Sequence, residues 1–165
     1  MMDCWINGKR LLGPGIALLY FGLAGCARSV TPNQPTNEPT GELQGSVYGT
    51  LTIEHSPYSV AGTITVDSGA SLSINAGVHV LFSDSAALII HGELVCNGGQ
   101  GNPVLLSSKN GHWPGMVIGA PASRSTLRFV IIENVDITNP PLPERNGAVD
   151  VLHANVTITN SIFFS

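Results

Sequence analysis

The sequence has few charged residues and few cysteines. Only 11% of its 165 residues are charged while 43% are hydrophobic, which is typical of a globular protein and not of a disordered chain. Three cysteines are too few for the disulfide framework that supports many small secreted domains. Acidic residues outnumber basic ones by 11 to 7, and the formal net charge is −4, so neither nucleic acid nor an anionic membrane surface is an expected partner.

Long helical patterns are also missing. Apolar residues occur in bursts the length of a short strand, and the chain contains 19 glycines and 11 prolines. Both residue types interrupt helices and favour turns. The composition therefore predicts an all-β protein with many tight turns.

No metal, phosphate or reactive-thiol site is evident. The histidines show no close pair at metal-ligand spacing; they are His55, His79, His91, His112 and His153. The glycine-rich run over 98–103 is followed by no lysine and no helix, and Pro103 occupies the carboxylate position of a calcium-binding repeat. Cys96 follows Leu94 by two residues in a strand, so we expect a buried structural thiol. We expect no cofactor and no metal.

Residues 1–25 are predicted to be a cleaved secretory signal. Lys9 and Arg10 precede an apolar run over 11–23, and small residues follow it, which is the order of regions in a signal peptide. The run is shorter than the roughly 20 residues of a membrane-spanning helix, and Gly13, Pro14 and Gly15 interrupt it. The cleaved signal is the preferred interpretation.

Leu23-Ala24-Gly25-Cys26 resembles the lipobox of bacterial lipoproteins. The resemblance implies that Cys26 is acylated, becomes the first residue of the mature chain and anchors the protein in a membrane. The alternative is an ordinary signal peptide that carries a cysteine. Ala27 is not the aspartate that retains lipoproteins in the inner membrane, so the resemblance implies the outer membrane or cell surface. Residues 26–45, rich in proline, threonine and asparagine, are expected to form a flexible tether.

Residues 46–165 repeat one local pattern, a short strand followed by a corner of glycine, asparagine, aspartate or serine. The predicted strands include 63–66, 71–74, 77–82, 87–90 and 93–95. We align 50–53, 71–74 and 87–90 as successive copies of one strand, and likewise 132–134 and 158–160. Self-similarity at a short, irregular period predicts a solenoid. An immunoglobulin-like sandwich is the alternative. Its strands are usually longer, and asparagines that follow successive strands have no structural role in it.

Four segments carry a resemblance to bacterial right-handed parallel β-helix proteins of the pectin-lyase-like superfamily. They are residues 58–82, Gly92-Glu-Leu-Val-Cys-Asn-Gly, Asn102-Pro-Val-Leu-Leu-Ser-Ser and Trp113-Pro-Gly-Met-Val. The resemblance covers 46–165 and implies a short right-handed parallel β-helix with inward side chains stacked between coils and asparagines laddered at a turn. Roughly five coils fit this length, fewer than the family usually has.

No capping segment follows the last predicted strand. Phe163 and Phe164 are therefore expected on an unpaired strand edge, which is a site for pairing or aggregation. Either another chain covers this open coil, or the sequence is a piece of a longer β-helix protein. These two alternatives stay open at the level of sequence.

The candidate ligand-binding residues are Trp113, Asp136, Glu144, Arg145 and Asp150. Enzymes of the superfamily cleave acidic polysaccharides, and the two aspartates flank a proline-rich loop over 138–147 in which carboxylates beside the arginine could form an acid–base site. Solvated turn residues are the simpler interpretation, and we assign no catalytic residue. The tryptophan either stacks on a sugar ring or packs in the core, and the resemblance favours packing.

The sequence thus predicts an envelope-anchored lipoprotein whose β-helix acts as a binding or structural module. The expected ligand is a glycan or another surface component such as an envelope protein. The alternative is a polysaccharide lyase or glycoside hydrolase, or a truncated remnant of one.

Overall fold

Short strands make up more than half of the described residues in the structure, a computed structural model that describes residues 41–119, 124–138 and 147–164. All of these residues belong to one compact unit. The predicted signal peptide, Cys26 and the tether as far as residue 40 lie outside the described residues. The strands are β1 (Glu42–Ser46), β2 (Gly49–Leu51), β3 (Tyr58–Val66), β4 (Ser71–Asn75), β5 (His79–Phe82), β6 (Leu88–Ile90), β7 (Glu93–Asn97), β8 (Val104–Ser108), β9 (Met116–Ile118), β10 (Arg124–Arg128), β11 (Val130–Glu133), β12 (Val149–Val151), β13 (Asn155–Thr159) and β14 (Ile162–Phe164).

One 3-10 turn, Ile53–His55, lies between β2 and β3. Within the three described ranges, no helix has the length and apolar character needed to cross a membrane.

Every pairing between these strands is parallel, in two sheets. Sheet 1 has the order β12-β9-β6-β3-β5-β8-β11-β14, with β1 beside β3, and sheet 2 has the order β13-β10-β7-β4-β2. The first half of β3 pairs with β5 and its second half with β6, so sheet 1 consists of two ladders. From β4 onward each strand up to β11 pairs with the third strand after it. The predicted all-β class is confirmed, and its sheets are parallel.

Alternating residues of both sheets point into one apolar core. In sheet 2, Leu72 and Ile74 of β4 pair with Leu94 and Cys96 of β7, and all four are buried. Ser125 of β10 is also buried, and its hydroxyl accepts a hydrogen bond from the Leu94 backbone N–H at 3.0 Å. Burial of each large aliphatic side chain contributes about 1.5–3 kcal/mol. The predicted inward orientation of Cys96 is confirmed.

The alignment of strands predicted from the sequence was wrong in register. Thr50 pairs with Ser73, whereas the predicted alignment placed it opposite Ser71. The strand over 87–90 belongs to sheet 1 and pairs with β3 and β9. Ile132 pairs with Phe163, whereas the predicted alignment placed it opposite Ile158. Inward apolar and outward polar residues alternate along the strands of all three ladders, and the corners between strands vary in length. Strands of different ladders therefore have similar sequences and are easily aligned with one another.

The first strand begins before the predicted domain boundary at residue 46. Strand β1 pairs with β3 in parallel, and Leu43 at its second position is buried. Residues 42–45, which were assigned to the tether, therefore belong to the sheet. Leu43 is the only large apolar residue of this strand, so the sequence signal for it was weak.

The last strand of each ladder has one unpaired edge within the described residues. Strands β12, β13 and β14 pair with β9, β10 and β11 respectively. Ile158, Ile162, Phe163 and Phe164 are between 40% and 55% exposed. The expected position of the two phenylalanines at an unpaired edge is confirmed.

Candidate functional site

Trp113 is a core residue that stacks on Phe82. The two ring centroids are 4.1 Å apart with an angle of 10° between the ring planes, and Trp113 is 0% exposed. Its Nε1–H donates a hydrogen bond to the Glu133 carbonyl oxygen at 2.9 Å. A buried indole whose polar atom is already bonded stabilises the fold, and it offers no ring face to a sugar.

Asp136 accepts two hydrogen bonds within its own turn. Its Oδ1 atom is 2.6 Å from the Thr138 hydroxyl and 2.8 Å from the Thr138 backbone N. The hydrogen bond from the Thr138 hydroxyl is the larger cause and the one from the backbone N–H the next, and both lower the pKa of the Asp136 carboxyl below its ordinary value. A carboxyl group that stays ionised in this way is poorly suited to act as a general acid.

Three of the five candidate residues, Trp113, Asp136 and Asp150, lie in the described structure. Asp136 is next to Trp113, because its backbone N–H donates to the Trp113 carbonyl oxygen at 3.0 Å. Asp150 lies in β12, where it pairs with Val117 of β9. Glu144 and Arg145 lie outside the described residues.

Metal and thiol chemistry find no support in the described ranges. There, no group of three or more histidine, cysteine, aspartate or glutamate side chains is placed to hold a metal ion. Burial raises the pKa of the Cys96 thiol to about 12, so this residue remains a neutral thiol at physiological pH. Its complete burial is the environment of a structural thiol and not of a reactive one.

A pocket of about 300 Å³ lies near the exposed final strand. Its lining residues are Val135, Ile137, Gly147, Ala148, Phe163 and Phe164. None of them has a polar side chain, whereas a specific ligand site needs a few polar groups to orient its ligand. The pocket is therefore a weak candidate for a specific ligand site.

The outward side of β10 carries both arginines of the described residues. Ser125 and Leu127 are buried, and because side chains alternate along a strand, Arg124, Thr126 and Arg128 point outward. The two arginine Cα atoms are separated by about 13 Å of strand. Two cations on one face are notable in a chain with a net charge of −4.

Polar side chains flank β10 on both neighbouring strands. On β13, Asn155, Thr157 and Thr159 pair with the three outward residues of β10. On β7, Asn97 pairs with Arg128, and Glu93 lies on the same outward side. We call this surface the arginine face; its polar residues are Glu93, Asn97, Arg124, Thr126, Arg128, Asn155, Thr157 and Thr159, and the apolar Val95 of β7, which pairs with Thr126, lies among them. Neighbouring strands lie about 4.8 Å apart, so the side chains form a regular array.

The guanidinium groups of the arginine face are available to a ligand. Neither Arg124 nor Arg128 has an ion-pair or hydrogen-bond partner within the described part of the chain. The Arg128 guanidinium carbon lies 5.5 Å from the centroid of the Phe129 ring, a cation–π distance. The donors of both guanidinium groups are therefore not used by the fold that the structure describes.

Phe129, which follows β10, has a backbone conformation that is rare for a bulky residue. Its φ of 48° lies in the left-handed region, which costs an L-residue roughly 1–2 kcal/mol. The register places Asn160 in the corresponding position after β13 and Gly98 after β7. Asn160 has a φ of 52° and is of a residue type that tolerates this region. Gly98 lies outside the left-handed region, so Phe129 and Asn160 are the two of these corner residues that adopt it, and phenylalanine is the atypical residue type.

Sequence reasoning missed the arginine face. The available signal was the segment Arg-Ser-Thr-Leu-Arg, which alternates small or apolar residues with polar ones. However, residues 127–132, Leu-Arg-Phe-Val-Ile-Ile, read as one continuous strand, whereas the chain turns from sheet 2 to sheet 1 at Phe129. The neighbours of β10 also depend on pairing with distant strands, which the local pattern does not reveal.

No protein-family model matches the chain, and comparisons with curated proteins and with solved structures found no match either. The function is therefore inferred from the chemistry of the described residues.

Proposed function

We propose that the protein is an envelope-anchored lipoprotein whose β domain is a right-handed parallel β-helix that binds a glycan. The rotation of the chain through three parallel ladders supports the β-helix, and parallel crossovers are right-handed in almost all proteins. The lipobox-like Leu23-Ala24-Gly25-Cys26 supports a lipid anchor at the outer membrane or cell surface.

The arginine face is the observation on which the binding function rests. It combines hydroxyl, amide and guanidinium groups on three adjacent strands, and sugars bind through hydrogen bonds to such groups. Because a sheet fixes the spacing of these side chains, little backbone entropy is lost when a ligand binds. An extended glycan lying across β7, β10 and β13 would contact several of them at once.

Binding fits this surface better than cleavage does. Most glycosidases place two carboxyl groups on either side of the bond to be broken. Of the residues that define the arginine face, Glu93 alone carries a carboxyl group. Asp136, a described carboxylate whose pKa is lowered, lies after β11 and outside this surface.

A screen of the soluble Cys26→Ser protein on immobilised neutral and acidic glycans tests the proposal. Thr126→Val combined with Thr157→Val removes two outward hydroxyls and keeps the shape of the side chains. Since each hydrogen bond contributes about 0.5–1.5 kcal/mol, we expect the affinity to fall about tenfold. The matched control is Thr65→Val, which removes a hydroxyl from the outward side of β3 in sheet 1.

The control variant should bind like the unchanged protein. Failure of every glycan to bind, or equal losses in the control and in the double variant, would contradict the proposed function.

A further inference from the structure

We propose that Phe129 is a positioning residue, whose ring holds the Arg128 guanidinium where it pairs with an anionic group of the bound glycan. The inference rests on the proposed glycan-binding function and adds a ligand class, a polysaccharide bearing carboxylate or sulfate groups. It also assigns a role to a residue that the fold alone does not explain.

Phe129 has a backbone conformation that phenylalanine seldom adopts. A bulky residue at a φ of 48° is unfavourable, and the corresponding corner after β13 uses Asn160, which adopts nearly the same φ. Local strain of this kind tends to persist where it serves a function. The choice of phenylalanine here therefore needs a reason other than the turn itself.

The backbone hydrogen bonds of this corner do not depend on the Phe129 side chain. The Phe129 backbone N–H donates to the Thr159 carbonyl oxygen, and its own carbonyl oxygen accepts from the Val104 N–H, both at 3.0 Å. Any residue that adopts this φ can make these two bonds. The ring is half-buried and is not part of the apolar core. The ring contact that the structure shows is the one with Arg128.

The electrostatics favour an anionic partner. The Arg128 guanidinium lies over the negative face of an aromatic ring, which holds the cation without using its N–H donors. A guanidinium held in place binds carboxylate or sulfate through paired hydrogen bonds with a smaller loss of side-chain entropy. Arg124, on the same outward side of β10, supplies a second cation for the next anionic group of the same polymer.

Three polymers with the same sugar backbone distinguish recognition of charge from recognition of the sugar. The full chain, held in detergent micelles, is titrated with dextran, carboxymethyl-dextran and dextran sulfate. We expect the unchanged protein to bind one or both charged polymers at least tenfold more tightly than dextran. The two charged arms distinguish carboxylate from sulfate as the preferred group.

Phe129→Asn is the decisive variant, because asparagine suits the left-handed region and has no aromatic ring. We expect its melting temperature to rise by about 4 °C, since the backbone strain is relieved, and its affinity for the charged polymer to fall about fivefold. Phe129→Tyr keeps an aromatic ring and should retain the affinity. Lys109→Ala, which removes a cation at the end of β8 outside sheet 2, should change the affinity less than twofold.

Pairing the variants tests the coupling between the two residues. If Phe129 acts through Arg128, the variant Arg128→Ala should bind no more weakly after Phe129→Asn is added. Normal affinity in Phe129→Asn, or a lower melting temperature, would overturn the positioning role alone. If the unchanged protein binds none of the three polymers, the glycan-binding function on which the role depends is overturned instead.

Discussion

Gly98 and the carbonyl oxygen of Phe129 are in direct contact between two consecutive corners. A Cβ atom built on Gly98 would lie 2.1 Å from that oxygen, and the Gly98 N–H donates a hydrogen bond to the Arg128 carbonyl oxygen at 2.9 Å. The absence of a side chain at Gly98 therefore allows the corner after β7 to approach the corner after β10.

Replacing Gly98 by alanine should destabilise the protein strongly. The added methyl group meets backbone atoms that cannot rotate away, and overpacking of this kind costs about 1–3 kcal/mol or more. Urea denaturation would measure the loss in the free energy of unfolding. Gly99→Ala is the matched control, because nothing lies within 4 Å of a Cβ at that position, and its effect should stay within about 0.5 kcal/mol. Equal effects at the two positions would contradict the close approach.

Removing the Trp113 side chain should be among the most damaging substitutions. Trp113→Ala leaves a cavity beside Phe82 and deletes the hydrogen bond to the Glu133 carbonyl oxygen, which together should cost about 3–5 kcal/mol. Thermal unfolding followed by circular dichroism would measure it. Phe164→Ala removes an aromatic ring that is 52% exposed and should cost less than about 1 kcal/mol. A mild effect of Trp113→Ala with full loss of glycan binding would favour a ligand role instead.

Cys96 should make the protein less stable at high pH. Burial raises the pKa of its thiol from an ordinary 9.0 to about 12, so the unfolded chain loses this proton at a lower pH than the folded protein does. The contribution of Cys96 is therefore complete below pH 9.0 and is lost between pH 9.0 and about 12, at up to about 1.4 kcal/mol per pH unit. Unfolding free energies of the unchanged protein and of Cys96→Ala at pH 8 to 11 would show the difference, and parallel pH profiles would refute it.

Thr138 should set the acidity of Asp136. Removing the hydroxyl with Thr138→Val leaves the backbone hydrogen bond in place and should raise the Asp136 pKa toward its ordinary value. The lowered pKa stabilises the folded state above the ordinary pKa, and this contribution is lost as the pH falls through the folded-state pKa. Carboxyl-carbon NMR titration would measure the change, with Thr157→Val as a control in which the Asp136 titration stays the same. An unchanged pKa in Thr138→Val would exclude the proposed cause.

Cys26 should determine whether the protein associates with lipid. We expect the unchanged protein in the detergent phase of a phase-separation experiment and Cys26→Ser in the aqueous phase, because the serine variant carries no acyl chains. Cys4→Ser, within the predicted signal peptide, should partition like the unchanged protein. The same partitioning for Cys26→Ser and the unchanged protein would exclude lipidation at this residue.

The strands of the fold could be predicted because apolar and polar residues alternate within the strand itself, which identifies its buried side. Leu72 and Ile74 alternate with serines, so both the strand and its inward side are evident in the sequence. The register could not be predicted in the same way. Thr50 and Ser73 become neighbours only after an intervening turn and a complete long strand, and no local pattern states how many residues these occupy.

The candidate site shows the same division between local and distant information. The burial of Cys96 follows from its spacing from Leu94, a short-range property. The neighbours of Arg128 are Asn97 on one side and Thr159 on the other, and each lies about 30 residues away in the chain. The left-handed corner at Phe129 was hidden because phenylalanine and its neighbours are typical strand residues.

Strands β12, β13 and β14 bury fewer side chains than the strands before them in the described structure. These three strands pair with β9, β10 and β11, so they can separate without breaking the hydrogen bonds between β4 and β7. In such an arrangement, local opening free energies decrease from the middle of the stack toward the exposed edge. Protease sensitivity and amide exchange are then graded along the described part of the stack.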